Sequence, residues 1–110
     1  MIVPADAIIL EEKVRDYLLK PLLVDDKSHF LILAGYSREE FWELIRDIRE
    51  QLLPGEGMFQ ERREQGNLYI LRGMLRGPNG RILSVITIWL QKWSGVWSFV
   101  TLFPDKKGAR

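Results

Sequence analysis

The sequence predicts an α+β fold in which two to three N-terminal helices pack on one face of a four-stranded antiparallel β-meander. Two observations indicate this class. Apolar residues recur at helical spacing as far as Pro54-Gly55, and from Gly57 onward they alternate every second residue between short Gly/Asn turns. A chain of 110 residues is normally one domain. We therefore expect a single domain over 1–110, with a helical part over about 8–54, a sheet over about 57–104 and a polar tail at 105–110.

The first two helices are predicted from apolar spacing and from end signals. Ile8–Lys20 carries an apolar stripe opposite a charged face. A short second helix is expected from about Lys27 to Ala34, after a cap from Asp25 or Asp26, and Gly35 suits the position that follows a helix end.

The third helix has the clearest start signal of the chain. Ser37 and Glu40 have the spacing of a capping box, in which each side chain bonds the backbone N–H of the other residue. The buried stripe that follows is predicted to be Phe41, Leu44, Ile45, Ile48 and Leu52, and Pro54-Gly55 ends the helix.

Four strands are predicted in the second half, joined by Gly/Asn turns that are typical of hairpins. The turn Gly77-Pro78-Asn79-Gly80 is the strongest of these signals, because Asn and Gly tolerate positive φ. The expected strands are Gly57–Gln65, Asn67–Arg76, Arg81–Lys92 and Val96–Phe103.

The predicted strands are apolar on both faces. In the last strand, simple alternation puts Val96, Val100 and Leu102 on one face and Trp97, Phe99 and Phe103 on the other. The helices can cover only one face of such a sheet. The second face therefore needs strong curvature together with the N-terminal segment, a second copy of the chain, or a bound partner or ligand.

Composition excludes several classes of protein. There is no cysteine and only one histidine, His29, so thiolate chemistry and a zinc site of His and Cys are excluded. The sequence contains no phosphate-binding glycine motif, so we expect no nucleotide cofactor. No Glu-x-x-His motif accompanies the carboxylates of the helices, so we expect no metal. No apolar run has the length of a membrane span, and the N-terminus lacks the basic start of a signal peptide. We expect a cytoplasmic protein with no membrane contact.

The charge of the chain is divided between its halves. Residues 57–110 hold nine Lys/Arg and three Asp/Glu, a net charge of +6, whereas residues 1–56 hold seven and twelve, a net charge of −5. Arg72 and Arg76 are two pleat steps apart, so they share a strand face and form a candidate anion-binding pair. The alternative is that these arginines neutralise the acidic helices or keep an edge strand soluble.

Two further groups of polar residues are candidates for chemistry. Lys27 and His29 stand at a predicted helix start, where a cation and a general base could act on a phosphate. The favoured alternative is that Asp25 and Asp26 cap the helix and that Lys27 and His29 are solvated. Thr87 and Thr101 lie in strands beside aromatic residues, where hydroxyls can bind phosphate, although threonine is also an ordinary strand residue.

An ordered set of short motifs resembles the uncharacterised bacterial family known as domain of unknown function 6883. In chain order the motifs are EKVRDYLL at 12–19, KSHF at 27–30, AGYS at 34–37, RGPNGR at 76–81, TIW at 87–89 and VTLFP at 100–104. The resemblance covers nearly the whole chain. It implies a small α+β domain whose relatives occur alone and as C-terminal modules of large bacterial toxins.

That order of elements, helices before an antiparallel sheet, is also similar to small metal-independent ribonuclease toxins of the barnase and colicin type. On that similarity, Lys27 falls on the family lysine, and Thr87 and Thr101 fall on the sheet threonines. One function that follows is an RNA-directed, ribonuclease-like domain. In it, His29 would act as base or acid, Lys27 and Arg81 as phosphate clamps, and the two threonines as hydrogen-bond donors.

The alternative is a non-catalytic interaction module, which includes an immunity-type protein. Such a module forms a homodimer or binds a protein partner through the free sheet face.

Overall fold

The computed structural model describes residues 1–20 and 28–106, and it confirms the α+β prediction. The main sheet is an antiparallel meander in the order β3-β4-β5-β6, and β1 pairs with β2 in a second, two-stranded sheet. The elements of the described residues are β1 Ile2–Val3, α1 Glu11–Lys13, α2 Ser28–Leu33, α3 Phe41–Leu52, β2 Gly55–Glu56, β3 Met58–Arg63, β4 Gly66–Arg76, β5 Ile82–Lys92 and β6 Trp97–Pro104.

The helix α3 packs against the sheet through the stripe that its sequence predicts. Leu44 and Ile48 are fully buried, and they share one hydrophobic core with the sheet residues Trp89 and Phe99. The contact is close at Gly73 of β4, where an added Cβ would lie 2.6 Å from a methyl carbon of Leu52. The helix therefore lies almost directly on the backbone of β4.

The end of α2 is also as predicted. Gly35 has φ of +97°, its N–H bonds the carbonyl of Ile32 at 2.9 Å, and the N–H of Tyr36 bonds the carbonyl of Leu31 at 3.2 Å. This is the Schellman arrangement that a glycine after the helix end allows. The predicted start of this helix, with Lys27 and its acidic cap, lies outside the described residues.

The start of α3 differs in part from the capping-box prediction. The hydroxyl of Ser37 accepts the N–H of Glu40 at 3.2 Å, as expected, but Glu40 makes no side-chain bond in return, and the helix begins only at Phe41. The carboxyl of Glu40 instead shares a hydrogen bond with Glu43, which raises the pKa of Glu43. The prediction that the side chain of Glu40 bonds the backbone N–H of Ser37 is therefore wrong.

The first predicted helix is also wrong at its beginning. Ile8 is extended and forms a parallel bridge to Ser98, with its N–H on the carbonyl of Trp97 and its carbonyl on the N–H of Phe99, both at 2.8 Å. Helical backbone is confined to α1 and to a π-helical stretch over Val14–Leu18. Because β6 ends the sheet, its unpaired backbone groups bind this segment, and edge pairing replaces helix formation there.

A β-bulge changes the predicted alternation of β6. Trp89 pairs with Phe99, but Ile88 pairs with Thr101, so Val100 is an extra residue on β6. Leu102 consequently joins Phe99 in the core, where it is fully buried. The prediction that those two side chains lie on opposite faces is wrong, since a one-residue insertion reverses every later side chain.

Candidate functional site

The face of the sheet turned away from the core cluster is the candidate site, and we call it the outer face. Its members follow from the unbroken register of β4 with β5 and from the pairing of the two edge strands. They are Met58, Glu61, Arg63, Leu68, Ile70, Arg72, Met74, Arg76, Ile82, Ser84, Ile86, Ile88, Leu90, Lys92, Ser98, Thr101 and Phe103.

Nine of the seventeen residues of the outer face are apolar, and three of these nine are more than half exposed. Met58 is 69% exposed, and Met74 and Ile82 are each 57% exposed. Leu68 and Ile88 are buried, yet they lie outside the core cluster that the sheet shares with the helices, so neighbours on their own face shield them. The centre of the outer face is thus covered, whereas apolar side chains remain exposed at its margins.

The two arginines predicted to share a face both lie on this one. Arg72 Nε is 3.7 Å from Oδ2 of Asp105, whose side chain is almost fully buried, and the guanidinium remains half exposed. The backbone of Arg76 is held by Gln51, whose side-chain amide donates to its carbonyl at 3.0 Å and accepts its N–H at 2.6 Å. Anion binding by the two guanidinium groups stays a prediction.

Thr87 lies on the opposite face, inside the core. Its hydroxyl donates to the carbonyl of Leu71 at 2.8 Å and accepts the indole N–H of Trp89 at 2.7 Å. Both Thr87 and Trp89 are fully buried. The hydroxyl satisfies two buried groups of the protein, which is a structural role for the residue.

Thr101 is on the outer face, opposite Ile88, and so does not meet Thr87. Consecutive residues of a strand face opposite sides, and Thr87 is the neighbour of Ile88 on β5. The hydroxyl of Thr101 is buried and has no hydrogen-bond partner within the described part of the chain.

Two further catalytic candidates, His29 and Arg81, are carried by elements that meet, namely α2 and the turn between β4 and β5. The side-chain amide of Asn79 donates to the carbonyl of Leu33 at 2.9 Å, and its oxygen accepts the N–H of Arg81 at 3.0 Å. His29 is exposed on α2, four residues before Leu33, which is roughly 6 Å along the helix. The structure thus brings the elements that carry His29 and Arg81 together, apart from both threonines, and Lys27 lies outside the described residues.

Sequence reasoning missed a buried polar contact beneath this turn. The phenol of Tyr36 donates to Oδ2 of Asp47 at 2.7 Å, and Arg46 approaches the other carboxylate oxygen at 3.3 Å. Burial, and then the bond to Asp47, raise the pKa of the Tyr36 phenol. The sequence contained one indication of this contact: Asp47 stands three residues after Leu44 and so lies on the apolar side of α3.

Trp93 was also missed. It lies in the turn between β5 and β6, and its side chain is 56% exposed. The sequence indicated this exposure, because Trp93 stands directly before the turn residues Ser94-Gly95 and outside the predicted strands, whose apolar residues alternate. Because tryptophan is enriched among the residues that carry binding energy at interfaces, we add Trp93 to the candidate site.

Comparison with known proteins places the chain in a family. The model of the family described as a domain of unknown function, DUF6883, matches residues 4–106, so the protein belongs to that family. A search of the curated proteins finds no match.

Among solved structures, a chain from the contact-dependent growth inhibition toxin–immunity protein complex of Klebsiella pneumoniae 342 has a similar fold. The TM-score is 0.59, and the alignment covers 90% of this chain and 100% of that chain. Sequence identity is 12%, so this likeness concerns the fold alone.

Within residues 1–20 and 28–106, no helix has the length and apolarity needed to cross a bilayer. The same residues contain no group of three or more His, Asp or Glu side chains placed to hold a metal ion.

Proposed function

We propose that this protein is a protein-binding member of a toxin–immunity pair, of the immunity type, and that it holds its partner on the outer face. The observation that carries the proposal is the set of exposed apolar side chains on a sheet face outside the shared core, with Met58, Met74 and Ile82 each more than half exposed. Large apolar areas at a surface are typical of protein interfaces. The similar fold in a toxin–immunity complex supports this class of partner.

The charges of the outer face indicate the chemistry of the partner. Glu61 is neutralised within the face, because Nε of Arg63 lies 2.7 Å from its carboxylate. The other charged members are the cations Arg72, Arg76 and Lys92, of which Arg72 is also paired with Asp105. A partner surface that combines apolar side chains with Asp or Glu would complement them, and such complementarity favours rapid and specific association.

The positions of the candidate catalytic groups favour binding over catalysis. Thr87 is fully buried with its hydroxyl engaged, and Thr101 lies across the sheet from it. A phosphoryl-transfer site needs its donors around one reacting atom, within hydrogen-bond distance. Two hydroxyls on opposite faces of a sheet cannot meet that requirement together.

The experiment measures binding of the purified protein encoded beside this one, by calorimetry. Met74→Asp/Ile82→Asp puts two carboxylates on the outer face, and we expect the dissociation constant to rise at least about 100-fold. Ile32→Asp/Trp42→Asp is the matched control, because Ile32 is 50% and Trp42 52% exposed on the helices. We expect the control to bind as the wild type does.

Three results would overturn the proposal. One is unchanged binding by the outer-face variant, and another is an equal loss in the control. The third is a homodimer in light scattering that Met74→Asp/Ile82→Asp dissociates, since a second copy would then occupy the face. Circular dichroism of each variant checks that the fold is retained.

A second candidate function is a ribonuclease-like activity, favoured by the meeting of the elements that carry His29 and Arg81 and by the basic sheet half. Its test is incubation with total RNA at low salt without metal. Cleavage that is lost in His29→Ala would support it. Intact RNA, together with equal growth of cells expressing wild type and His29→Ala, would reject it and leave the binding function.

A further inference from the structure

A pocket of about 650 Å³ lies at one end of the outer face, beside the turn between β5 and β6. Three of its lining residues form a row across neighbouring strands, because Leu90 pairs with Ser98 and Ser98 is bridged to Ile8. Leu10 and Trp93 complete the apolar part of the lining. The N-terminal segment forms one wall of the pocket, because Ile8 bridges to Ser98 at the edge of β6.

Trp93 is fixed in place on one side of this pocket. Its indole N–H donates to the carbonyl of Glu64 at 2.7 Å, and its backbone N–H donates to the carbonyl of Gln65 at 3.2 Å. The guanidinium of Arg62 lies over the ring, 5.1 Å from its centroid. An exposed tryptophan held in this way loses little conformational freedom on binding, which is the property of an interface anchor.

The charged groups of the pocket are both cations. Lys13 and Lys92 line it, no Asp or Glu does, and neither lysine makes an ion pair within the described residues. Gln65 and Ser94 add neutral hydrogen-bond donors to the lining. Apolar walls beside unpaired ammonium groups favour a ligand that is apolar at its centre and anionic at its ends.

We propose that this pocket receives an apolar side chain of the protein partner that is flanked by carboxylates. The apolar side chain packs against Trp93 and Leu90, and the carboxylates lie at Lys13 and Lys92. A protein segment fits better than a nucleic acid, because the pocket shares Leu90, Lys92 and Ser98 with the aliphatic outer face and is continuous with it. This inference rests on the proposed function, since it places an anchor of the same partner at one end of the same face.

The experiment uses a defined probe and ¹⁵N-resolved NMR of the whole chain. The probe is an acetylated, amidated pentapeptide with phenylalanine at its centre and two aspartates on each side. We expect it to shift the indole N–H signal of Trp93 and the backbone signals of Leu90 and Ser98. A matched peptide with asparagine in place of aspartate should bind at least about tenfold more weakly, since it lacks the charge that the lysines attract.

Protein variants test the role of the two lysines. Lys13→Gln/Lys92→Gln should weaken binding of the acidic peptide at least about tenfold. Lys20→Gln/Lys106→Gln removes the same charge from exposed residues outside the pocket and should leave the affinity unchanged.

The inference is overturned if the acidic peptide shifts none of these signals, or if the two double variants bind it equally. It is also overturned if a short oligonucleotide shifts the pocket signals and the peptide does not. In each case, the proposed function would still stand if Met74→Asp/Ile82→Asp abolished binding of the protein partner. If the outer-face variant bound the partner normally and the peptide also failed to bind at the pocket, both proposals would be rejected.

Discussion

The hydroxyl of Thr87 accepts the indole N–H of Trp89 at 2.7 Å, and both side chains are fully buried. The same hydroxyl donates to the carbonyl of Leu71 on the neighbouring strand. One threonine therefore satisfies the largest buried side chain of the core and a backbone carbonyl of β4. A residue in this position stabilises the fold, and we expect its substitution to lower the free energy of unfolding.

Thr87→Val should destabilise the protein by about 1–3 kcal/mol, because it leaves the buried indole N–H without an acceptor. Thr87→Ser keeps the hydroxyl and loses one methyl group, so we expect a cost of about 1 kcal/mol. Urea unfolding monitored by tryptophan fluorescence measures both values. A valine variant as stable as the wild type would contradict the assigned hydrogen bond.

Gly77→Ala should be strongly destabilising, by about 3 kcal/mol, the upper end for overpacking. An added Cβ at Gly77 would lie 2.1 Å from the backbone oxygen of Ala34, which cannot move without disturbing the end of α2. Gly80→Ala is the control in the same turn. It has φ of +86° and open space around it, so left-handed strain of about 1 kcal/mol is the expected cost. Equal thermal shifts of the two variants would show that the turn does not pack closely on α2.

Tyr36→Phe should lower the free energy of unfolding near neutral pH by about 1–3 kcal/mol, because Oδ2 of Asp47 loses its buried donor. The pKa of Tyr36 is raised in the folded state, chiefly by burial. The associated stability is therefore present below the phenol's ordinary pKa of about 10 and is lost as the pH rises above it. Urea unfolding should show a difference between wild type and variant that narrows from pH 8 to pH 11. A constant difference would contradict the linkage.

Asp16→Asn should lower stability above about pH 4 and have less effect below it. Hydrogen bonds from Arg15 and then from Arg38 hold the pKa of the Asp16 carboxyl well below its ordinary value of about 3.9. The contribution is therefore present above that value and is lost as the pH falls through the depressed pKa. Denaturant midpoints of the wild type and the variant at pH 6 and at pH 2.5 measure this contribution.

Because Asp16 and its arginine partners are at the surface, high salt should reduce the difference in stability between wild type and Asp16→Asn. Glu39→Gln, an exposed carboxylate without an ion pair in the described residues, should show no comparable change with salt.

Local signals predicted most elements of the fold because their causes are local. The Gly77–Gly80 turn and the two-residue alternation of Asn67–Arg76 define a hairpin whose register runs without interruption from Arg76↔Ile82 to Gly66↔Lys92. Gly35 ends α2 by its positive φ, as its position indicated. Family membership was accessible for the same reason, because the motifs that carry it are short and contiguous.

The errors came from contacts between distant segments. Ile8–Leu10 has the spacing of a helix, but pairing with the edge of β6 makes it extended. The bulge at Val100 depends on how β6 fits against β5, and it moved Leu102 into the core. Neither outcome has a signal in the local sequence, since each depends on which backbone groups remain unpaired at the edge of a finished sheet.

The sequence by itself determined the α+β class, the hairpins, the apolar stripe of α3 and the presence of apolar residues on both faces of the sheet. Only the tertiary structure decided which residues share a surface. It separated Thr87 from Thr101 by the thickness of the sheet, placed Arg72 and Arg76 on the outer face, and built a pocket from Ile8, Leu90 and Trp93. The physical reason is that composition and periodicity are local properties, whereas a binding surface is defined by strand register, bulges and edge pairing between residues far apart in the chain.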